Sequence, residues 1–197
     1  IDELKVFKGD IIFIIGDKQE IVLPALGALR LKLAKINHLI NDDMWAPLWV
    51  VDFPLFEWNE DYSRWDSMHH PFTSPDFKDI DLLDTNPGEV KSLGYDIVMN
   101  GHEIGGGSIR IHDKKLQSKI FSLLGISNKE AEEKFGFLMN AFRYGAPPHG
   151  GMAFGFDRLI MLLVGSKQIR DVIAFPKTTS AMSLMDNSPS IVDKNLL

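Results

Sequence analysis

An Asn-Gly dipeptide, Asn100 and Gly101, joins two stretches of strand-forming residues in the middle of the chain. A two-residue type I′ turn needs positive φ at both central positions, and Asn-Gly adopts them more readily than most pairs. The dipeptide therefore predicts an antiparallel hairpin and fixes the register of its strands. The predicted pairs are Met99 with His102, Val98 with Glu103, Ile97 with Ile104 and Asp96 with Gly105.

Two acidic residues of this hairpin, Asp96 and Glu103, are predicted to share one face of the sheet, because strand side chains alternate. As diagonal neighbours they have Cα atoms about 7–8 Å apart, a spacing at which two carboxylates hold one divalent cation. Ligands that are all oxygen favour magnesium, calcium or manganese over zinc. Gly105 and Gly107 leave the same face open to a flat or polyanionic ligand. The alternative is that both acids face solvent and the glycines form only a bend.

Arg110 follows Glu103 at a spacing that strict alternation would turn to the opposite face of the sheet. One extra residue in the strand reverses this, and glycines are common at such bulges. We therefore predict a β-bulge within residues 105–107, without which Arg110 points away and the site is lost. The ligand face then carries Ser108, Arg110 and His112, and the core face carries Ile109 and Ile111.

Residues 150–163 are predicted to be a glycine-bounded strand that runs into an apolar helix, with Asp157 as the N-cap. Arg158 in the first turn is unfavourable by itself, because a cation opposes the positive end of the helix dipole. A ligand anion reverses that sign, since backbone N–H groups and a guanidinium at one point form a phosphate site. The alternative is that Arg158 pairs with a carboxylate of the protein.

Adjacent histidines, His69 and His70, stand in the proline-flanked segment 68–75. In an extended chain the two imidazoles point in opposite directions, and no third ligand follows at metal spacing, so a zinc site is not expected. One imidazole could still donate to a carboxylate or pair with it. The alternative is a rigid loop that displays both histidines at the surface.

Hydrophobic patterning and turn residues predict further elements on either side of this region. The helix after Pro24 is expected to lay one face on a core. Two tryptophans of a polar loop are expected to pack on the body of the domain, and a Ser-x-x-Glu capping box starts the last of these helices. The expected elements are strands at 11–15, 20–23 and 48–56, a helix opened by Pro24, a polar loop at 57–66, and a helix from Ser127 to Gly145.

The composition is that of an ordinary globular protein with one full domain and a smaller appendage. The 197 residues include 27 acidic and 21 basic ones, which gives a formal charge of −6 and argues against a general nucleic-acid binder. The absence of cysteine excludes a disulfide framework, a thiolate zinc site and a cysteine nucleophile, and it agrees with a cytoplasmic location. The longest apolar run, 159–164, is too short to cross a membrane.

Four segments carry motifs whose order and spacing are highly specific: 69–75, 100–112, 151–158 and 169–177. Together they resemble the bacterial aspartyl-tRNA synthetases, a family of class II enzymes, and the resemblance covers essentially the whole chain. It implies an α+β fold, namely part of a class II antiparallel sheet with flanking helices, together with the remnant of an insertion domain.

The same resemblance assigns residues 1–44 to the end of a bacteria-type insertion domain and residues 45–197 to the C-terminal part of the catalytic domain. It implies ATP-dependent activation of L-aspartate to aspartyl-adenylate and transfer to tRNA, in a parent protein that forms a homodimer. The first and second signature motifs of the family and its anticodon-binding barrel are missing from these 197 residues. The chain alone is therefore expected to be inactive.

The resemblance also implies roles for individual residues. Asp96 and Glu103 match the carboxylates that hold Mg²⁺ on ATP, and Glu103 also contacts the nucleotide. His69 and Arg110 match residues that bind the side-chain carboxylate of aspartate. Arg158 matches the arginine of the third signature motif that binds the γ-phosphate, so Glu103 and Arg158 are the expected catalytic residues. The other motif residues matched to ATP binding are Gly155, Phe156 and Asp157.

Two other functions stay open on the sequence. A synthetase-like paralogue could use this fold as a noncatalytic module that binds tRNA or a partner protein, and a related ligase could activate asparagine or lysine. Arg110 argues against a neutral or cationic substrate side chain. The trio of Asp96, Glu103 and Arg158 argues for retained ATP chemistry, because binding alone does not require it.

Overall fold

A computed structural model describes residues 5–41 and 43–191, and the contacts of the chain divide it into two units, Ile1–Trp45 and Ala46–Leu197. The division follows the polar stretch around residues 41–43 and falls one residue after the predicted domain boundary. In the described ranges, no helix combines the length and the apolar character that a bilayer span requires.

The first unit is built around one helix, α1 (Gln19–Ile36), in which Pro24 lies inside the helix and does not open it. The two predicted strands are wrong, because residues 11–15 form no strand and residues 20–23 belong to α1. Apolar runs of four or five residues do not distinguish a strand from a helix. No residue of α1 is buried. The prediction that one face of this helix packs on a core therefore does not hold in the described part of the chain.

The second unit has the predicted α+β character. Its described residues include short 3₁₀ helices at Pro87–Glu89, Phe142–Tyr144 and Ile169–Asp171. In chain order, its strands and α-helices are β1 (Pro47–Val50), β2 (Phe56–Asn59), β3 (Arg64–Ser67), α2 (Leu82–Thr85), β4 (Gly94–Met99), β5 (His102–Ile109), α3 (Lys114–Leu123), α4 (Asn128–Ala141), β6 (Gly150–Phe154) and α5 (Phe156–Leu163).

Strands β1, β4, β5 and β6 form one antiparallel sheet in that order, and β2 pairs with β3 as a separate hairpin. The predicted polar loop at 57–66 is therefore mostly a hairpin, across which Trp58 and Trp65 meet edge to face with ring centroids 5.1 Å apart. Trp65 also packs against the core, as predicted, whereas Trp58 is 43% exposed and packs only on Trp65 among the ring contacts of the described residues. The predicted strand at 48–56 breaks after β1, because Asp52 adopts a φ of 61° and Pro54 has no N–H for a ladder.

Two apolar clusters form the core of this unit. Phe72, from the loop that carries the histidines, packs against Phe121 and Phe135 with ring centroids 6.0 and 5.1 Å away. This packing ties the histidine loop to α3 and α4. The first cluster contains Leu55, Phe56, Leu83, Val90, Ile111 and Ile120, and the second contains Phe121, Ala131, Met139 and Phe142.

The predicted capping box at the start of α4 is confirmed. The backbone N–H of Glu130 donates to the Ser127 hydroxyl at 3.2 Å, and the Ser127 N–H donates to the Glu130 carboxylate at 3.3 Å. The helix ends at Ala141, and after one 3₁₀ turn the chain reaches Gly145 with a φ of 90°. Cap and turn residues in the sequence therefore predicted both ends of α4.

Candidate active site

The central hairpin turns as predicted, with φ of 52° at Asn100 and 83° at Gly101. The two residue pairs nearest the turn are also confirmed. Beyond them the ladder shifts by one residue, so that Asp96 faces Gly106 instead of the glycine before it, and Ile104 is the extra residue of a β-bulge. The two pairs predicted beyond the bulge are therefore wrong by one position.

One face of the sheet opens into a cavity of about 880 Å³. Five stretches of chain meet there: the histidine loop, β4, β5 with its extension, the junction of β6 with α5, and the 3₁₀ helix at Ile169–Asp171. All the residues to which the sequence resemblance assigned a role contribute to its lining. They are His69, Asp96, Glu103, Arg110, Gly155, Phe156, Asp157 and Arg158.

The bulge turns Arg110 to the predicted side of the sheet, although it lies just before residues 105–107 and not within them. Ile104, the extra residue, is buried, with 5% of its surface exposed, and it also contributes to the cavity lining. Because Asp96 pairs with Gly106, strand alternation puts Gly106 on the face of Asp96. The prediction that Gly105 and Gly107 share that face is therefore wrong, although both line the cavity. The expected face assignments hold in part. Ser108 and Arg110 line the cavity and Ile111 enters the core, whereas His112 lies outside this cavity and Ile109 is 37% exposed.

Glycines allow the strands around the cavity to approach closely. The carboxylate of Asp96 occupies the space that a Cβ on Gly106 would need, and the backbone carbonyl of Gly151 does the same for Gly107. The Tyr95 hydroxyl donates to the Gly151 carbonyl at 3.1 Å, which links β4 to β6 across β5. The glycine-rich stretch is therefore required by packing and is not merely a bend.

Asp96 is half-buried and Glu103 is exposed, and both line the cavity. In the described ranges, neither carboxylate has a Lys, Arg or His nitrogen within 4.0 Å. Among the described residues, no three or more His, Cys, Asp or Glu side chains form a group that could hold a metal ion. The donor set is thus two carboxylates without a cationic partner, which suits an oxygen-preferring cation that takes its other ligands from a nucleotide or water.

Strand β6 runs into α5 as predicted, but the N-cap is Gly155 and not Asp157. The strand ends at Phe154, so Asp157 already lies in the first helical turn, where its negative charge suits the helix dipole. The Arg158 guanidinium donates to the backbone carbonyl of Glu103. No carboxylate of the described residues lies within 4.0 Å of Arg158, so the alternative of a protein ion pair is not observed.

The two histidines occupy different positions in the cavity wall. The Arg110 guanidinium contacts the ring of His70, with NH1 3.2 Å from Nδ1. The ring of His69 instead lies edge to face on Phe53, with centroids 4.8 Å apart. The sequence interpretation missed the contact between His70 and Arg110. An isolated antiparallel bridge between Thr73 and Arg110 brings these segments together, and residue spacing does not reveal such a bridge.

The pKa of His70 lies below its ordinary value of 6.5, first because of burial and second because of the positive Arg110 guanidinium. The neighbouring His69 adds a smaller effect in the same direction. His70 is therefore neutral at physiological pH, and a neutral imidazole can accept a hydrogen bond.

Comparison with known proteins gives the class of this domain. A family model described as class II tRNA synthetases (D, K and N) matches residues 19–179. The chain therefore belongs to the class II tRNA synthetases of the D, K and N group.

Individual relatives narrow the similarity further. The chain is 54% identical over 197 residues to the aspartate–tRNA(Asp/Asn) ligase of Caldanaerobacter subterraneus subsp. tengcongensis, covering 100% of this chain and 33% of that protein. It is 53% identical to an aspartate–tRNA ligase of Clostridium botulinum, covering 96% of this chain and 32% of the relative. The chain thus spans about a third of the length of these curated relatives.

A solved structure, the aspartyl tRNA synthetase of Entamoeba histolytica, resembles the fold with a TM-score of 0.52 and 25% sequence identity. The match covers 76% of this chain and 25% of that one. The antiparallel sheet with flanking helices is therefore the class II synthetase fold in part, as the sequence resemblance implied.

Proposed function

We propose that this chain is part of an aspartate–tRNA ligase, which activates L-aspartate with ATP and then transfers the aspartyl group to tRNA. One observation carries the proposal: two carboxylates and two guanidinium groups line a single cavity. Neither guanidinium pairs with a carboxylate of the described residues. These groups are Asp96, Glu103, Arg110 and Arg158. The similarity to proteins named aspartate–tRNA ligases supports the same substrate.

Selection of aspartate is assigned to charge. A guanidinium binds a carboxylate through two parallel hydrogen bonds, whereas the amide of asparagine leaves it underpaired and the ammonium of lysine is repelled. Arg110 is the cation that supports this choice, because its contacts in the described residues include a neutral imidazole and no carboxylate. His69, on the same wall of the cavity, is proposed as a second group toward aspartate.

The reaction requires no nucleophile from the protein. The α-carboxylate of aspartate attacks the α-phosphorus of ATP, an O–P bond forms, and the bond to the departing pyrophosphate breaks. Catalysis therefore depends on positioning and on cancelling phosphate charge. In the proposal Arg158 holds the γ-phosphate, and Gly155, Phe156 and Asp157 line the nucleotide site.

Asp96 and Glu103 are proposed to hold Mg²⁺. The residues suit this ion, because they offer oxygen ligands on adjacent strands and have no competing cationic side chain within 4.0 Å in the described ranges. When bound, Mg²⁺ would reduce the negative charge of the phosphates. Glu103 also anchors Arg158 through its backbone carbonyl, so the proposed metal site and phosphate site share one residue.

Other parts of the proposal rest on the resemblance to the family. They are the tRNA substrate, a homodimeric full-length protein, a cytoplasmic location, and the assignment of residues 1–44 to an insertion domain and 45–197 to the catalytic domain. Because the chain spans about a third of its relatives, we expect the 197 residues alone to be inactive.

A chimera tests the proposal directly. This chain would replace the matching third of the Caldanaerobacter relative, and amino-acid-dependent exchange between pyrophosphate and ATP would be measured with each of the twenty amino acids. We expect exchange with L-aspartate only. The isolated chain is the negative control, and the intact relative is the positive control.

Other outcomes would contradict the proposal. Exchange with asparagine or lysine would assign the site to a different ligase of the same group. A folded chimera that binds tRNA but supports no exchange would favour the noncatalytic module.

A further inference from the structure

His70 contacts the guanidinium that is proposed to bind aspartate. The Arg110 NH1 group lies 3.2 Å from its Nδ1 atom, and both residues line the main cavity. In the described ranges no carboxylate lies within 4.0 Å of Arg110. The imidazole is thus a side-chain partner that holds this cation without neutralising it.

The groups around the His70 ring indicate its tautomer. The backbone N–H of Phe72 donates to Nδ1 at 3.2 Å, and the Thr73 hydroxyl lies 3.3 Å from the same atom. A backbone N–H and a guanidinium can only donate. Both donors require an Nδ1 without a proton, so the proposal puts the single proton of the neutral ring on Nε2. A protonated ring would lose this acceptor and repel Arg110.

The loop that carries His70 is held on several sides. The Ser74 N–H donates to the Ile109 carbonyl at 2.9 Å, and the Ile111 N–H donates to the Phe72 carbonyl at 3.0 Å. The Gln117 side-chain amide donates to the Pro71 carbonyl at 2.7 Å. These bonds attach the loop to both neighbours of Arg110 in the sequence and to α3, so the imidazole is a fixed support.

We propose that His70 is a positioning residue, which accepts one hydrogen bond from Arg110 at Nδ1 and leaves the other guanidinium N–H groups for the carboxylate of the substrate. A guanidinium has five N–H donors in a rigid planar fork. Fixing one of them restricts the rotation of the fork and lowers the entropy cost of bidentate binding. This role rests on the proposed function, in which the carboxylate is the aspartate side chain.

Two variants of the chimera separate positioning from simple support of the loop. The side-chain oxygen of asparagine stands near the position of the imidazole Nδ1, whereas the glutamine amide reaches the position of Nε2. His70→Asn therefore keeps the acceptor for Arg110, and His70→Gln removes it.

We expect His70→Gln to raise the KM for aspartate by about 10- to 100-fold, the range for a lost hydrogen bond to a charged group. The discrimination against asparagine should fall with it. His70→Asn should remain close to the unsubstituted chimera, and the KM for ATP should stay unchanged in both variants.

A ligand-free measurement accompanies the kinetics. The ¹⁵N chemical shifts of the His70 ring in the 197-residue chain should show a neutral ring protonated at Nε2. A ring protonated at Nδ1 would overturn the proposal, and so would equal aspartate KM values for the glutamine and asparagine variants. A parallel rise in the KM for ATP in the glutamine variant would also overturn it, because the loss would then reflect general damage to the loop and not the orientation of Arg110. A failure of the proposed function would look different, because the unsubstituted chimera would then show no aspartate-dependent exchange.

Discussion

Asp96 lies directly opposite Gly106 in the ladder between β4 and β5, and its carboxylate fills the space in which a side chain on residue 106 would stand. The bulge at Ile104 produces this pairing, because a regular ladder would set Asp96 opposite Gly105. The same bulge turns Arg110 to the cavity. One inserted residue thus places an acid and a cation on the same face of the sheet.

Gly106→Ala should therefore impair the proposed metal site more than the fold. The new Cβ would push the Asp96 carboxylate from its position, while the backbone of β5 needs no positive φ at this residue. In the chimera, the Mg²⁺ concentration for half-maximal exchange should rise by about 10- to 100-fold, the effect seen when groups around a metal ligand are disturbed.

The matched control is Gly27→Ala in α1. Apart from the neighbouring residues and the backbone of the helix itself, no described atom lies within 4 Å of the added carbon there. This variant should keep the Mg²⁺ dependence of the parent. An unchanged Mg²⁺ requirement in Gly106→Ala would remove Asp96 from the metal site.

Arg110→Leu should raise the KM for aspartate in the exchange assay by about 100-fold or more, because loss of a charged partner for a desolvated carboxylate costs several kcal/mol. The KM for ATP should change little, since Arg158 and the acids remain. Arg143→Leu is a matched control, because the Arg143 side chain is exposed and its one hydrogen bond among the described residues is to the Asn140 side chain. Unchanged aspartate kinetics in Arg110→Leu would exclude Arg110 from substrate binding.

Local signals in the sequence predicted the hairpin turn, the capping box and the strand-to-helix junction, because each depends on residues close together in the chain. Turn geometry at Asn100 and Gly101 and the cap at Ser127 are set by backbone conformation and nearby hydrogen bonds. The need for a bulge was also predictable, since Glu103 and Arg110 have the wrong spacing for one face.

Features that depend on tertiary packing were not predictable in the same way. The bulge lies at Ile104, a buried residue, whereas the preference of bulges for glycine put the prediction at residues 105–107. The strands predicted at 11–15 and 20–23 were short apolar runs without periodicity, and residues 20–23 belong to α1. The contact of His70 with Arg110 joins residues 40 positions apart, so no local pattern reveals it.

Ser127→Ala should destabilise the chain by about 1 kcal/mol, the usual cost of a lost N-cap. The variant removes the hydroxyl that accepts from the Glu130 N–H at the start of α4. Urea unfolding of the 197-residue chain followed by circular dichroism would measure the effect. Ser122→Ala, at an exposed site inside α3, should leave the unfolding midpoint unchanged or raise it.

Stability should fall as the pH is lowered through the range just below 6.5, because the pKa of His70 is depressed in the folded chain. Between that lower pKa and 6.5 the unfolded chain binds more protons, so protonation favours unfolding. Urea midpoints at about pH 7 and about pH 5.5 would measure the effect. His70→Asn should show a smaller fall, and an equal fall in both chains would place the depressed pKa elsewhere.

The account depends most on four side chains meeting around one nucleotide. A crystal structure of the chimera with a non-hydrolysable ATP analogue and Mn²⁺ in place of Mg²⁺ tests this directly, because manganese is located by its anomalous scattering. We predict manganese between the carboxylates of Asp96 and Glu103, the terminal phosphate at Arg158, and an open guanidinium at Arg110. Manganese and phosphates bound elsewhere, with Asp96, Glu103 and Arg158 free of ligand, would contradict the account.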